Sequence, residues 1–273
     1  PRRPVLADGT VRFVGEPVAV VVASSREAAA DAAELILVEY DPLPAVSDAE
    51  VALTADCVPI HENVPGNLIG KWEIGGGDVD AAFARAHSQV KLRLENNRLI
   101  PSALEPRAIV AQYEPDTHQF TMHVSSQMPH MCRRWVAETL HVPESRLRVI
   151  APEVGGGFGS KMHLYPEEIV IPFCARLLHR PVKWTETRSE SHVATTHGRA
   201  HTEYIEAAVE KDGRILGLKL RTVANLGAYL SNMATGIPTV NCAAFGTGCY
   251  RIENYQATVD LVTTNTVPVD AYR

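Results

Sequence analysis

No CxxC pair occurs anywhere in the chain, and its five cysteines, Cys57, Cys132, Cys174, Cys242 and Cys249, are an odd number and widely scattered. That excludes a four-cysteine iron–sulfur site or a structural zinc ribbon within these residues. It favours buried thiols in a reducing, cytoplasmic setting over a disulfide framework. Positive charge is not in excess either: 26 Lys and Arg stand against 32 Asp and Glu, a net charge of −6. A polyanion-binding surface is therefore not the main business of the chain. No window approaches eighteen consecutive apolar residues, so no membrane-spanning helix is expected. No Met opens the chain, no apolar signal core follows Pro1-Arg2-Arg3-Pro4, and both ends read as cut. What is present is an ordinary globular balance, 45% apolar and 21% charged in 273 residues, enough for one large domain or two smaller ones.

Local patterns divide the chain. Val18–Ala23 is a short apolar, β-branched run that predicts a buried strand, and Ser24 with Glu27 predicts the cap of an Ala-rich helix over 28–37. Residues 48–77 lose their period and collect Pro59, Pro65 and Gly75-Gly76-Gly77, which predicts a linker. A short helix over 79–87 and a half-buried strand through Val90, Leu92 and Leu94 open a second lobe. Residues 109–113 and 120–124 predict a hairpin, 128–140 an amphipathic helix, 147–149 a strand, and Pro166 the first turn of another helix. Residues 204–209 and 215–220 flank Asp212-Gly213, a strong hairpin signal. Helices interleave with strands that mostly pair as hairpins, so the class is α+β with mixed or antiparallel sheets.

The sharpest chemical feature is Gly155-Gly156-Gly157-Phe158-Gly159, between a strand and a helix. Such a run permits close backbone approach and can gather N–H groups into an anion-binding nest. It is neither a nucleotide P-loop, since Ser160 precedes Lys161, nor a GxGxxG fingerprint, since Ser160 stands where the last glycine is required. His192, His197 and His201 match no established zinc spacing and read as hydrogen-bonded loop histidines. Glu167 and Glu168 read as complements to a helix N-terminus. The Met128, Met131 and Trp135 stripe reads as core, and Gln127 as a neutral amide at the end of an extended run.

Taken together, these segments resemble a known family. Val14–Ala23 and Leu37–Pro44 resemble the end of the hammerhead domain of the xanthine dehydrogenase/aldehyde oxidase family. Glu105-Pro106-Arg107, Ser126-Gln127-Met128-Pro129, Gly155–Lys161 and Asp270-Ala271-Tyr272-Arg273 resemble, in order, its molybdopterin-binding domain. The continuation over 159–168 is most similar to carbon monoxide dehydrogenase-like large subunits. The resemblance implies an α+β chain, the end of an α/β hammerhead domain (1–47) joined by a linker (48–77) to the first part of a mixed-sheet molybdopterin-binding domain (78–273).

It also implies roles. Gln127 matches the amide that hydrogen-bonds the apical oxo ligand of molybdenum. Phe158 matches the residue whose backbone N–H approaches the molybdenum oxygens, with Gly156, Gly157 and Gly159 around it. Arg273 matches the first Arg of a loop closing over the pterin. None of these ligates the metal directly. The implied chemistry is hydroxylation of an aldehyde, N-heterocycle or carbon monoxide with water-derived oxygen, molybdenum passing from VI to IV. A Glu base is expected beyond position 273. The implied cofactor is molybdopterin, in its cytosine dinucleotide form, with iron–sulfur and FAD centres on small and medium partner subunits. Met162 and Asn241 stand where purine-oxidising members carry Glu and Arg, which argues against a purine. The alternative reading is a non-enzymatic module that uses Gly155–Gly159 to hold an anion or nucleotide.

Overall fold

The computed structural model describes residues 3–272. The elements in its first half are α1 (Arg26–Glu34), α2 (Ala49–Ala52), β1 (Leu68–Gly76), α3 (Val79–Ala84), β2 (Ser88–Asn96), β3 (Ala108–Glu114) and β4 (Gln119–Val124). They are followed by α4 (Pro129–Leu140), β5 (Leu147–Ile150), α5 (Pro166–Leu178), β6 (Val182–Thr185), α6 (Arg188–Ala194), β7 (His201–Val209), β8 (Ile215–Asn225) and β9 (Asn254–Val262). Two compact units result, and neither is continuous in sequence. Arg3–Leu43 groups with Pro101–Thr195, and Pro44–Ile100 with Thr196–Tyr272.

The unit containing Pro101–Thr195 holds a four-stranded sheet in the order β5-β4-β3-β6. β3 and β4 form the expected hairpin, with Ile109 opposite Val124, and β5 joins β4 in parallel. Strand alternation buries Ile109 and Ala111 on β3 and Phe120, Met122 and Val124 on β4. Cys132 and Val136 of α4 and Ile169 and Ala175 of α5 complete that core. Met128, Met131 and Trp135 are only half-buried, so the core face of α4 is narrower than the expected stripe.

In the other unit the sheet order is β1-β9-β8-β7-β2, antiparallel except for the parallel β8–β9 pair. The β7–β8 hairpin forms at Asp212-Gly213, where Gly213 has φ +88. α3 packs Ala82 and Phe83 against Ala208 and Leu216 of the β7–β8 hairpin. Both sheets are mixed, as the alternation of hairpins and helices predicts.

Several local expectations fail, each for a physical reason. The stretch 48–77 is not an unstructured linker: it carries α2 and β1, and β1 pairs with β9 along its length. Gly75 lies in that pair because a Cβ there would sit 2.7 Å from the Tyr255 carbonyl oxygen. Gly75, which looks like a loop residue, is the condition for close pairing there. Conversely, 18–23 forms no strand among the described residues; Val18, Val20 and Val22 are 37%, 41% and 39% exposed. An apolar run becomes a strand only where a ladder partner meets it. Ser25, not Ser24, caps α1, its Oγ accepting from the Ala28 N–H. β2 forms, but Val90, Leu92 and Leu94 are exposed rather than half-buried. Cys132 and Cys174 alone among the five free thiols are fully buried, Cys57 and Cys242 partly so, and Cys249 is exposed. No helix among the described residues is long and apolar enough to cross a membrane.

Candidate cofactor site

The glycine loop follows β5 and turns into the N-terminus of α5. Gly156 (φ +94) and Gly159 (φ +96) occupy left-handed backbone, and Phe158 between them is also left-handed at φ +52. A Cβ on Gly156 would meet the Phe158 ring at 3.0 Å, so glycine lets the loop fold over its own aromatic side chain. Phe158 is 42% exposed, so burial does not hold it in that unusual conformation.

Gln127, immediately before α4, joins this loop. Its backbone N–H donates to the Lys161 carbonyl at 2.9 Å. Its side-chain Oε1 accepts from the backbone N–H of Gly159 (3.0 Å) and of Lys161 (3.2 Å). Two donors on one atom fix the amide orientation, because the reverse flip would set an NH₂ against two N–H groups. The Nε2 donor then points away from both bonds and has no acceptor among the described residues. The backbone N–H groups of Gly157 and Phe158 likewise donate to no acceptor among the described residues. A Cβ on Gly157 would fall 2.3 Å from Gln127 Oε1, so only glycine lets the amide lie against the loop. Three neutral donors, unspent and adjacent, suit an anionic, oxygen-rich ligand. A cofactor with oxo and pyranopterin oxygens fits that donor set, and Gly156 and Gly157 make room for the Phe158 ring and the Gln127 amide that shape it.

Two charge clusters hold this arrangement. Glu105 gathers the loop's ends: its Oε2 accepts from the Gly155 N–H at 2.6 Å, from Lys161 Nζ at 2.8 Å and from Ser125 Oγ at 3.1 Å. Lys161 Nζ also reaches the Glu105 carbonyl oxygen at 2.8 Å, and its side chain is buried. Burial pushes the Glu105 carboxyl up, but Lys161 and the Gly155 N–H outweigh it and hold it below its ordinary value.

Arg107 is the second centre. Its guanidinium bonds Glu186 Oε1 through Nε (3.0 Å) and NH2 (2.7 Å), Glu167 Oε2 through NH1 (3.0 Å), and lies 3.7 Å from the Tyr165 ring centroid. Burial would weaken the guanidinium's hold on its proton, but Glu167 and Glu186 reverse this and strengthen it. Glu167 is therefore an ion-pair partner rather than only a helix-end charge, and Glu168 is different again. Its Oε2 accepts from the Tyr165 N–H, closing a capping box at the start of α5. Sequence reasoning missed these roles of Glu105, Arg107, Glu167 and Lys161. The available signal was chemical: a Glu-x-Arg triplet, a Lys beside a glycine run and paired Glu residues at a helix start are mutually complementary in charge.

Burial pushes the Glu168 carboxyl up to about 8, with Arg107 opposing. The native state then keeps a proton that the unfolded chain releases near pH 4, so the Glu168 contribution to stability falls as pH rises from about 4 to about 8, by up to ~1.4 kcal/mol per pH unit. Glu168→Gln keeps a cap acceptor and cannot ionise. Urea unfolding should find the variant equal to wild type near pH 4 and more stable at pH 8. A variant less stable at pH 8 would refute the buried neutral carboxyl.

The remaining site expectations fare differently. His192 and His197 belong to no ligand grouping among the described residues; the one group of three that could reach a single ion is His201, Glu203 and Cys242. Met162 is half-buried and Asn241 is exposed. Arg273 lies outside the described residues.

A glycine loop with unspent backbone donors and a locked neutral amide beside it makes a site for an anionic, oxygen-rich group. Family comparison agrees: residues 60–273 match the molybdopterin cofactor-binding domain, and residues 1–44 the a/b hammerhead domain of aldehyde oxidase and xanthine dehydrogenase. The chain belongs to the xanthine dehydrogenase/aldehyde oxidase family, within its molybdenum-binding large subunit. It is 39% identical over 276 residues to subunit gamma of the 6-hydroxypseudooxynicotine dehydrogenase complex of Paenarthrobacter nicotinovorans, covering 99% of this chain and 34% of that subunit. It is 36% identical over 274 residues to the nicotine 6-hydroxylase large subunit of the same organism, covering 99% of this chain and 33% of that subunit. The crystal structure of quinoline 2-oxidoreductase from Pseudomonas putida 86 superposes with a TM-score of 0.94 at 38% identity, over 99% of this chain and 34% of that one. The chain thus spans about a third of the length of these relatives.

Proposed function

We propose that the chain is part of the catalytic subunit of a molybdenum hydroxylase that oxidises a small molecule with oxygen taken from water. In this reading residues 1–47 close a hammerhead domain and residues 78–273 open the cofactor-binding domain. The observation that carries it is the unspent donor set of Gln127 Nε2 and the N–H groups of Gly157 and Phe158. When bound, the molybdopterin group, in its cytosine dinucleotide form, supplies the two-electron redox centre. The chain's own residues bind and orient. Gln127 presents one neutral donor, and the Gly157 and Phe158 backbone presents two more. Gly156 and Gly159 give the loop its left-handed turns, and Arg273 belongs to the loop that covers the pterin. Neutral donors of this kind stabilise developing negative charge without adding a competing ligand. A Glu from outside these residues serves as the base, and electrons leave to iron–sulfur and FAD centres on partner subunits.

Among aldehydes, N-heterocycles and carbon monoxide, an N-heteroaromatic ring is the preferred substrate class. Nicotine and quinoline are in the names of two relatives above, and Met162 removes the carboxylate expected for a purine. Reduction of the intact complex by quinoline, benzaldehyde or carbon monoxide in separate trials tests this, and a response to carbon monoxide alone would overturn it. For the site, Gln127→Ala in the intact enzyme should lower kcat on the order of 10²–10³-fold with molybdenum content retained. Gln127→Glu should be no better, because a carboxylate offers no donor. Unchanged turnover in both fully loaded variants would sink the assignment.

A further inference from the structure

We propose that His201, Glu203 and Cys242 form a zinc-binding site, separate in role from the molybdopterin cradle. His201 and Glu203 are two apart on β7 and so project from the same face of the strand. Cys242 comes from the segment that joins β8 to β9. It is placed there by its neighbour Ala243, which is fully buried against Leu220, Ala257 and Val259 and whose carbonyl accepts from the Tyr255 hydroxyl. One ligand atom from each of the three residues lies within 4.8 Å of the others, and His201 Nδ1 stands 3.9 Å from Glu203 Oε1. Four-coordinate zinc of ordinary bond lengths holds such ligand atoms about 3.3–3.6 Å apart, so an ion would draw the three together by up to ~1.2 Å.

The second observation is that none of the three is otherwise occupied. His201 is 5% exposed, and its Nδ1 is a buried nitrogen with no hydrogen-bond partner. A buried polar atom without a partner is costly, and a metal would satisfy it. Among the described residues, neither the Glu203 carboxylate nor the Cys242 thiol makes a side-chain hydrogen bond. The donor set decides the metal. Imidazole, thiolate and a single carboxylate are the mixed nitrogen, sulfur and oxygen ligands of zinc, whereas calcium and magnesium require several oxygens. One thiolate and one carboxylate also neutralise a divalent ion, and a fourth position remains for water. Binding releases the Cys242 proton to solvent. The site would pin the β8–β9 connection to β7.

The intact enzyme complex is stripped with a chelator, incubated with Zn²⁺, desalted and counted by plasma mass spectrometry, which separates zinc from molybdenum and iron. Wild type should carry one zinc per large subunit more than Cys242→Ser, and Glu203→Gln should bind zinc at least tenfold more weakly. Where a variant fails to fold, maleimide labelling of wild type serves instead, read at individual peptides. Zn²⁺ should slow modification of Cys242 at least tenfold and leave Cys249 unaffected. Equal zinc in wild type and Cys242→Ser, or labelling of Cys242 indifferent to Zn²⁺, overturns the site. Molybdenum content is read in the same samples, so loss of the cofactor assignment and loss of the zinc site are seen separately.

Discussion

Gly157→Ala should lower turnover of the intact enzyme on the order of 10²–10³-fold while leaving the fold in place. The backbone at Gly157 does not require left-handed dihedrals, so alanine carries no conformational penalty of its own. Its methyl group would instead lie 2.3 Å from Oε1 and 2.5 Å from Cδ of Gln127. The amide must swing out, giving up the Gly159 and Lys161 N–H bonds that fix its orientation. The donor at Nε2 then loses its position, and loss of one preorganised donor costs about two to three orders of magnitude in kcat. Gly76→Ala is the matched control, since a Cβ there meets nothing within 4 Å. Circular dichroism of both variants should equal wild type. Full kcat in Gly157→Ala, with Gly76→Ala also silent, would mean that the Gln127–loop contact has no part in the reaction.

The largest stability effect belongs to Arg107→Met, expected to destabilise the subunit by about 3–5 kcal/mol, the cost of stranding buried charge. Such a loss is a large share of the ~5–15 kcal/mol typical of a folded domain. The Glu186 side chain is 1% exposed, that of Arg107 6% and that of Glu167 20%, so water cannot replace the missing cation. Arg107→Lys should recover little, because an ammonium cannot span Glu186, Glu167 and Thr195 together or stack on Tyr165. The pH dependence follows from Glu167. Burial raises its carboxyl, but Arg107 outweighs that and holds it below its ordinary value. The wild-type contribution is therefore present above about pH 4–5 and lost as pH falls through the lowered value. In Arg107→Met the gap to wild type should be widest near pH 7 and narrow in acid, as the stranded carboxyls take up protons. Urea midpoints between about pH 4 and 8, with Arg107→Met/Glu186→Gln as the coupling partner, measure it. Equal midpoints at neutral pH would show that the cluster contributes no net stability.

The two variants divide the Glu-Pro-Arg segment and the glycine loop by role. Glu105 and Lys161 close the loop on itself, and Arg107 ties the start of α5 to Glu186 after β6. The N–H groups of Gly157 and Phe158 are left to a ligand. Charged residues near the site thus satisfy one another, and the groups that remain available are neutral. That division suits an anionic cofactor, because a free carboxylate would repel it and a free lysine would compete with loop geometry.

Much of this was legible in the residues alone. Period-two runs at 109–113 and 120–124, the Asp212-Gly213 turn, the helical spacing over 128–140 and Pro166 at a helix start each determined an element, because local preference and burial agree there. The glycine run announced close backbone approach before any contact was known. Tertiary structure decided what depends on partners distant in sequence. Gly75 became a strand residue because the Tyr255 carbonyl lies against it, and Val18–Ala23 stayed unpaired because no ladder met it. Glu167 turned from a helix-end charge into half of an ion pair 60 residues distant. His201 left its histidine neighbours for Glu203 and Cys242, 39 positions onward along the chain from Glu203. Local sequence fixes dihedrals and faces, whereas charge pairing, close glycine contacts and ligand sets arise only when the chain returns to itself.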